Sequence, residues 1–152
     1  MPCPDPNLIT KALAAGVIGD PDAGLAMLQP IVNDGPAETF AMLYALGHSV
    51  STKARQTAGP GAMFGIAVDG PAGPATGTVD DLPPAIRFSA QFTSACANQD
   101  MEMAGALFWA VAGPADRDGT PALAEAIGAV YQMAVATARE VVAEQQRLRE
   151  GR

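Results

Sequence analysis

The stretch DPNLITKALAAGVIGDPDAGLAMLQPIVNDGP, residues 5–36, decides the fold. Proline recurs in it at 6, 21 and 36, behind Asp5, Asp20 and Gly35, at an even spacing of fifteen residues. Proline suits the first turn of an α-helix, whose N–H groups have no intrahelical partner and whose φ the ring already holds. An aspartate just before it accepts a hydrogen bond from one of those free N–H groups. At a rise of roughly 1.5 Å per residue, the spacing leaves room for a short helix and its turn. Stacking 5–19, 20–34 and 35–49 aligns Leu13 with Leu28 and Leu43, Thr10 with Leu25 and Phe40, and Ala12 with Met27 and Met42. Gly16 and Gly19 close the first helix, and Asn33-Asp34-Gly35 closes the second. Pro30 predicts a kink or break at Gln29. The third helix runs from Pro36 to about Gln56, with Phe40, Leu43, Tyr44, Gly47, Val50 and Ala54 at helical spacing. Met42 and Leu46 widen that stripe, which predicts contacts on more than one side and a central place.

The same punctuation continues downstream. Pro83, behind Asp81-Leu82, and Pro121, behind Thr120, open apolar stretches over 83–112 and 121–149, joined by a turn at 113–120. Two matched helices with a short connection fold back on each other. Unbroken, each would be roughly 43 Å long at the helical rise. Ile127, Tyr131, Ala134, Ala138, Val141, Gln145 and Leu148 alternate by four and three, a heptad seam. Phe88, Phe92, Ala95, Gln99, Met103, Ala106 and Ala110 follow the same spacing, and Asn98-Gln99-Asp100 predicts a kink or polar layer midway. The expected fold is therefore all-α: one domain over 1–152, a five-helix bundle with a long C-terminal antiparallel helical hairpin.

Residues 57–84 break this pattern with Gly-Pro-Gly at 59–61, Asp69-Gly70-Pro71, Gly73-Pro74 and Pro83-Pro84. Phe64, Ile66 and Val68 alternate with Gly65 and Ala67, and Thr76, Thr78 and Val79 lie beyond the turn. This spacing predicts a short β-hairpin within a flexible or arm-like insert. An exposed connector and an arm on a neighbouring subunit both fit an insert of this length.

A chain of 152 residues can bury one core, and its net charge of −7 opposes a broad grip on nucleic acid or an anionic membrane. Lys11 and Lys53 are its only lysines. No apolar run approaches the length of a membrane span. Met1–Pro6 has neither the basic nor the apolar region of a secretory signal, and Cys3 and Cys96 make no disulfide framework. The expected location is the cytoplasm.

Residues 12–21, Ala-Leu-Ala-Ala-Gly-Val-Ile-Gly-Asp-Pro, followed by Asp34-Gly35-Pro36 and Ala45-Leu46-Gly47, resemble one short HEAT-type helical repeat over about a quarter of the chain. Thr39-Phe40 stand where such repeats carry a valine–arginine pair, and no second copy follows. A solenoid needs about three stacked repeats, so the bundle remains the expected architecture.

Chemistry-bearing patterns are sparse. His48, the only histidine, falls near the expected end of the third helix, where it suits the helix dipole. Cys96, between Ala95 and Ala97, reads as a small buried hydrophobe. One histidine and two distant cysteines cannot supply a zinc site. Asp116-x-Asp118-Gly119 with Glu125 matches part of a calcium loop, but Pro114 replaces its first carboxylate. Asp100 and Glu102 diverge on a helix. No metal, no cofactor and no catalytic residue is therefore expected. Met101, Met103, Phe108, Trp109, Tyr131 and Met133 gather near the middle of the expected hairpin and could line a ligand pocket or a partner surface. The favoured function is a non-catalytic structural or adaptor protein, self-associating or bound to a protein partner. A small-molecule-binding bundle using those six residues is the alternative, and an enzyme of unidentified class using His48 or the scattered carboxylates is the third.

Overall fold

In the computed structural model, residues 4–59, 62–65, 72–73, 76–113 and 122–151 are described. They form six α-helices: α1 (Pro6–Val17), α2 (Pro21–Asn33), α3 (Pro36–Ala58), α4 (Pro84–Ala97), α5 (Met101–Ala112) and α6 (Leu123–Glu150). A short 3-10 turn, Val79–Asp81, precedes α4. The fold is all-helical. No β-strand occurs among the described residues. Of the expected hairpin, Ile66 and Val68 lie outside the described residues, and Val79 belongs to the 3-10 turn.

The proline punctuation works at the N-terminus as the sequence predicts. Pro6, Pro21 and Pro36 each occupy the first helical turn. The Asp5 carboxylate accepts from the Asn7 N–H at 2.9 Å, and that of Asp20 from the Ala23 N–H at 3.2 Å. Gly35, with φ of +129°, supplies the backbone turn into α3 without a side-chain cap. Downstream the rule changes. α4 starts at Pro84 with Pro83 as its uncapped flank, and Asp81 instead accepts from the Thr78 N–H at 2.8 Å. Pro121 lies outside the described residues, and α6 opens at Leu123.

Two expectations are corrected. Pro30 does not break α2, which runs on to Asn33. The proline removes one hydrogen bond to the Ala26 carbonyl, but both residues are exposed and water can take its place. The stretch 83–112 is two helices rather than one. Gln99 adopts a left-handed backbone, φ +58°, and Asp100 caps α5 by accepting from the Met103 N–H at 3.0 Å. The interruption resets the helical phase. Phe88, Phe92 and Ala95 of the predicted stripe are buried, whereas Gln99, Met103, Ala106 and Ala110 face outward, and α5 instead buries Ala104, Phe108 and Val111.

α3 is central and packs against α2, α4, α5 and α6. Rings join three of these helices: Phe40 lies 5.3 Å from Phe108 and 6.4 Å from Phe92, which stacks on Phe88 at 5.4 Å. Gly47 permits the α3–α4 approach, since a Cβ there would lie 2.7 Å from the Cys96 sulfur. The α1–α2 pair sits on α6 around Tyr131, whose hydroxyl donates to the Ala12 carbonyl at 2.6 Å. Arg139 donates to the Gly16 carbonyl at 2.8 Å and so closes the C-terminal end of α1. Among the described residues no helix is long and apolar enough to cross a membrane.

Candidate functional site

The six Met and aromatic residues singled out from the sequence do not converge on one pocket. Phe108 is fully buried against Phe40, and Tyr131 is fully buried against α1 and α2. Met101, Met103 and Trp109 lie on the outer face of α5, exposed at 46%, 51% and 56%. Met133 is half-buried on α6. The sequence groups these residues by their place near the middle of the expected hairpin. With the phase reset at Gln99, the group divides between the core and the surface.

Two other features emerge. The first is the projecting half of α6. Its seam is buried at Tyr131 and Ala134, half-buried at Ala138 and Val141, and open at Gln145 and Leu148, the last exposed at 65%. Leu13 of α1 and Ser49, Thr52, Lys53 and Gln56 of α3 face this seam across a groove of about 600 Å³. Lys53 and Glu144 form an ion pair across it at 2.6 Å. The hydrogen bond from Lys53 is the main cause that lowers the Glu144 carboxyl below its ordinary pKa.

The second feature is a cleft of about 690 Å³ where α3 meets the α4–α5 turn and residues 62–64. Its wall is pinned through a side chain that imitates a strand. The Asn98 amide accepts from the Phe64 N–H at 2.7 Å and donates to the Phe64 carbonyl at 3.0 Å. Ser94 donates to the same carbonyl at 3.1 Å. His48 and Arg55 project from α3 into the cleft, and the guanidinium Nη1 approaches the imidazole Nδ1 at 3.4 Å. His48 is therefore not a helix cap: α3 continues to Ala58, and the ring lies on an exposed helical face.

Cys96 is buried, and burial pushes its thiol up to about 12, which keeps it protonated and unreactive at neutral pH. Asp100 is occupied as the cap of α5. Of the calcium-loop pattern, Asp116, Asp118 and Gly119 lie outside the described residues, and Glu125 sits exposed in the first turn of α6. Among the described residues no group of three His, Cys, Asp or Glu side chains could hold a metal ion. The sequence marks Asn98 only as part of a kink or polar layer and gives no sign of Arg55, because their roles depend on where residues 62–64 cross the bundle. Comparison with protein-family models, curated proteins and solved structures finds no match.

Proposed function

We propose that this chain is a non-catalytic helical structural or adaptor protein of the cytoplasm that acts through protein–protein contacts, first of all with a second copy of itself. The observation that carries this reading is the seam of α6, which is core at Ala134 and solvent-facing by Leu148. A heptad stripe that outlasts its intramolecular cover presents apolar area for another helix to bury. In this proposal, 84–112 and α6 form the C-terminal antiparallel hairpin from which that surface projects.

Charge favours a like partner. Over residues 139–150, Arg139, Arg147 and Arg149 balance Glu140, Glu144 and Glu150, while the whole chain carries −7. Two acidic chains repel over most of their surfaces and least where each is neutral and mixed in sign. The groove between α3 and α6 offers the apolar floor, and the α6 end of a second copy offers Val142 and Leu148 to fill it.

Sedimentation velocity over a hundredfold concentration range tests the reading. Wild type should shift to a dimer or higher species, and Val142→Glu/Leu148→Glu should stay monomeric with unchanged helical circular dichroism. A wild type that remains monomeric throughout, or a double variant that associates equally well, refutes it.

A further inference from the structure

We infer that the cleft between α3 and the α4–α5 turn is a binding site for a small carboxylate with an aromatic or aliphatic tail. This site is separate from the α6 seam and does not depend on self-association.

The inference starts from helical spacing. Tyr44, His48, Thr52 and Arg55 recur along one face of α3, and that face borders two adjoining depressions. His48 and Gln99 line both of them. A guanidinium can only donate, so its approach to His48 Nδ1 makes that nitrogen the acceptor. In the tautomer that accepts this bond, the proton sits on Nε2. The polar lining of the cleft thus centres on the N–H donors of His48 and Arg55, with the neutral side chains of Thr52, Gln56 and Gln99 around them.

Among the described residues no acidic side chain lines the cleft, although Asp and Glu outnumber Lys and Arg by 16 to 9 in the chain. The Lys53–Glu144 ion pair lies on the α6 side of α3, and among the described residues no carboxylate pairs with Arg55. A permanently charged donor among neutral polar groups, with no described carboxylate beside it, selects an anion. A carboxylate suits a planar fork better than a point charge does.

The rest of the lining selects the tail. Met63, Phe64 and Ala97 line the main cleft, and Met101 closes the adjoining depression. Apolar walls around a few convergent polar groups are the usual composition of a small-molecule site. The wall is also fixed before any ligand arrives, since Asn98 and Ser94 hold the Phe64 backbone by three hydrogen bonds. At the lip, Gln99 holds its left-handed backbone, a conformation that costs free energy in a non-glycine residue.

The test is a titration of the full-length protein with phenylacetate, followed by two-dimensional amide NMR. Saturable shifts in the millimolar range are expected at the Phe64 and Gln99 amides and at the Asn98 side-chain NH2. Arg55→Gln should weaken binding about tenfold or more, the loss of one charge-assisted hydrogen bond, with an otherwise unchanged spectrum. His48→Phe, which keeps a ring but removes the Nε2–H, should weaken it less and in the same direction. 2-Phenylethanol, which keeps the tail and lacks the charge, should bind at least about tenfold more weakly. Inorganic phosphate, which lacks the tail, should also bind more weakly than phenylacetate. Absence of saturable shifts, equal binding of 2-phenylethanol or phosphate, or unchanged affinity in both variants would each overturn the assignment.

Discussion

Replacing Gly24 by alanine tests the packing of the N-terminal pair on α6. In an ordinary helix interior the change stabilises, by about 1 kcal/mol. Here α1, α2 and α6 meet too closely for that gain to survive. A Cβ on Gly24 would overlap the Tyr131 hydroxyl and lie 2.5 Å from the Ala12 carbonyl oxygen, which is backbone and cannot rotate aside. Forcing an extra methyl into such a contact costs about 1–3 kcal/mol. It also displaces the Tyr131 hydroxyl from its 2.6 Å hydrogen bond, a further loss of about 1 kcal/mol. Set against the propensity gain, the expected net change is a destabilisation of about 2 kcal/mol, or a fall in Tm of about 4–8 °C for a chain of this size. Gly128→Ala in α6 is the control, because nothing lies within 4 Å of its would-be Cβ. That variant should gain about 0.5–1 kcal/mol. Combining Gly24→Ala with Tyr131→Phe relieves the hydroxyl overlap but not the Ala12 one, so the pair should be less destabilised than the sum of the single changes. Urea unfolding followed by circular dichroism measures wild type, the two glycine variants, Tyr131→Phe and the double variant. If Gly24→Ala is as stable as Gly128→Ala, the close approach of the three helices is refuted.

Three further outcomes follow from buried or tethered groups. Cys96 should resist a thiol reagent in the native protein and label only on unfolding, read by mass spectrometry of its peptide; fast labelling at neutral pH would contradict its burial. Because burial raises its thiol to about 12, the folded state keeps this proton over a range in which the unfolded chain releases it. Its contribution to stability is thus complete below the ordinary thiol pKa of 9.0 and is lost as the pH climbs toward about 12. Cys96→Ala should lose less stability than wild type between those limits in chemical denaturation, and equal slopes would refute this. Asn98→Ala removes both amide contacts to Phe64, so the Phe64 N–H should exchange with solvent at least about tenfold faster, as the loss of about 1.4 kcal/mol implies. Unchanged protection in hydrogen exchange would show that the tether does not hold this segment.

Some of the fold could be read directly from local chemistry. Asp5-Pro6, Asp20-Pro21 and Gly35-Pro36 start helices because capping and φ restriction act within a few residues. The wide stripe on α3 pointed to a central helix, and it is one. The start of the α6 seam was equally legible, for Ile127, Tyr131 and Ala134 are buried. The candidate site was not. Six residues were grouped because they fall near the middle of the expected hairpin, and they divide instead between the core, with Phe108 and Tyr131, and the outer face of α5, with Met101, Met103 and Trp109. The cue for the break at Gln99 was present in Asp100, an N-cap residue with Met103 three positions on, but Asn98-Gln99-Asp100 also fits a polar layer within a continuous helix.

The three N-terminal helix starts, the central stripe and the acidic balance are properties of neighbouring residues along the chain, and the sequence by itself determined them. The break at Gln99, the overlap of Tyr131 with the Gly24 face and the strand-like clamp of Asn98 on Phe64 were decided only in the tertiary structure. The Tyr131 hydroxyl reaches a carbonyl 119 residues away, and Asn98 a backbone 34 residues away. Such contacts form only once the helices have packed, and no spacing along the chain encodes the distance at which they meet.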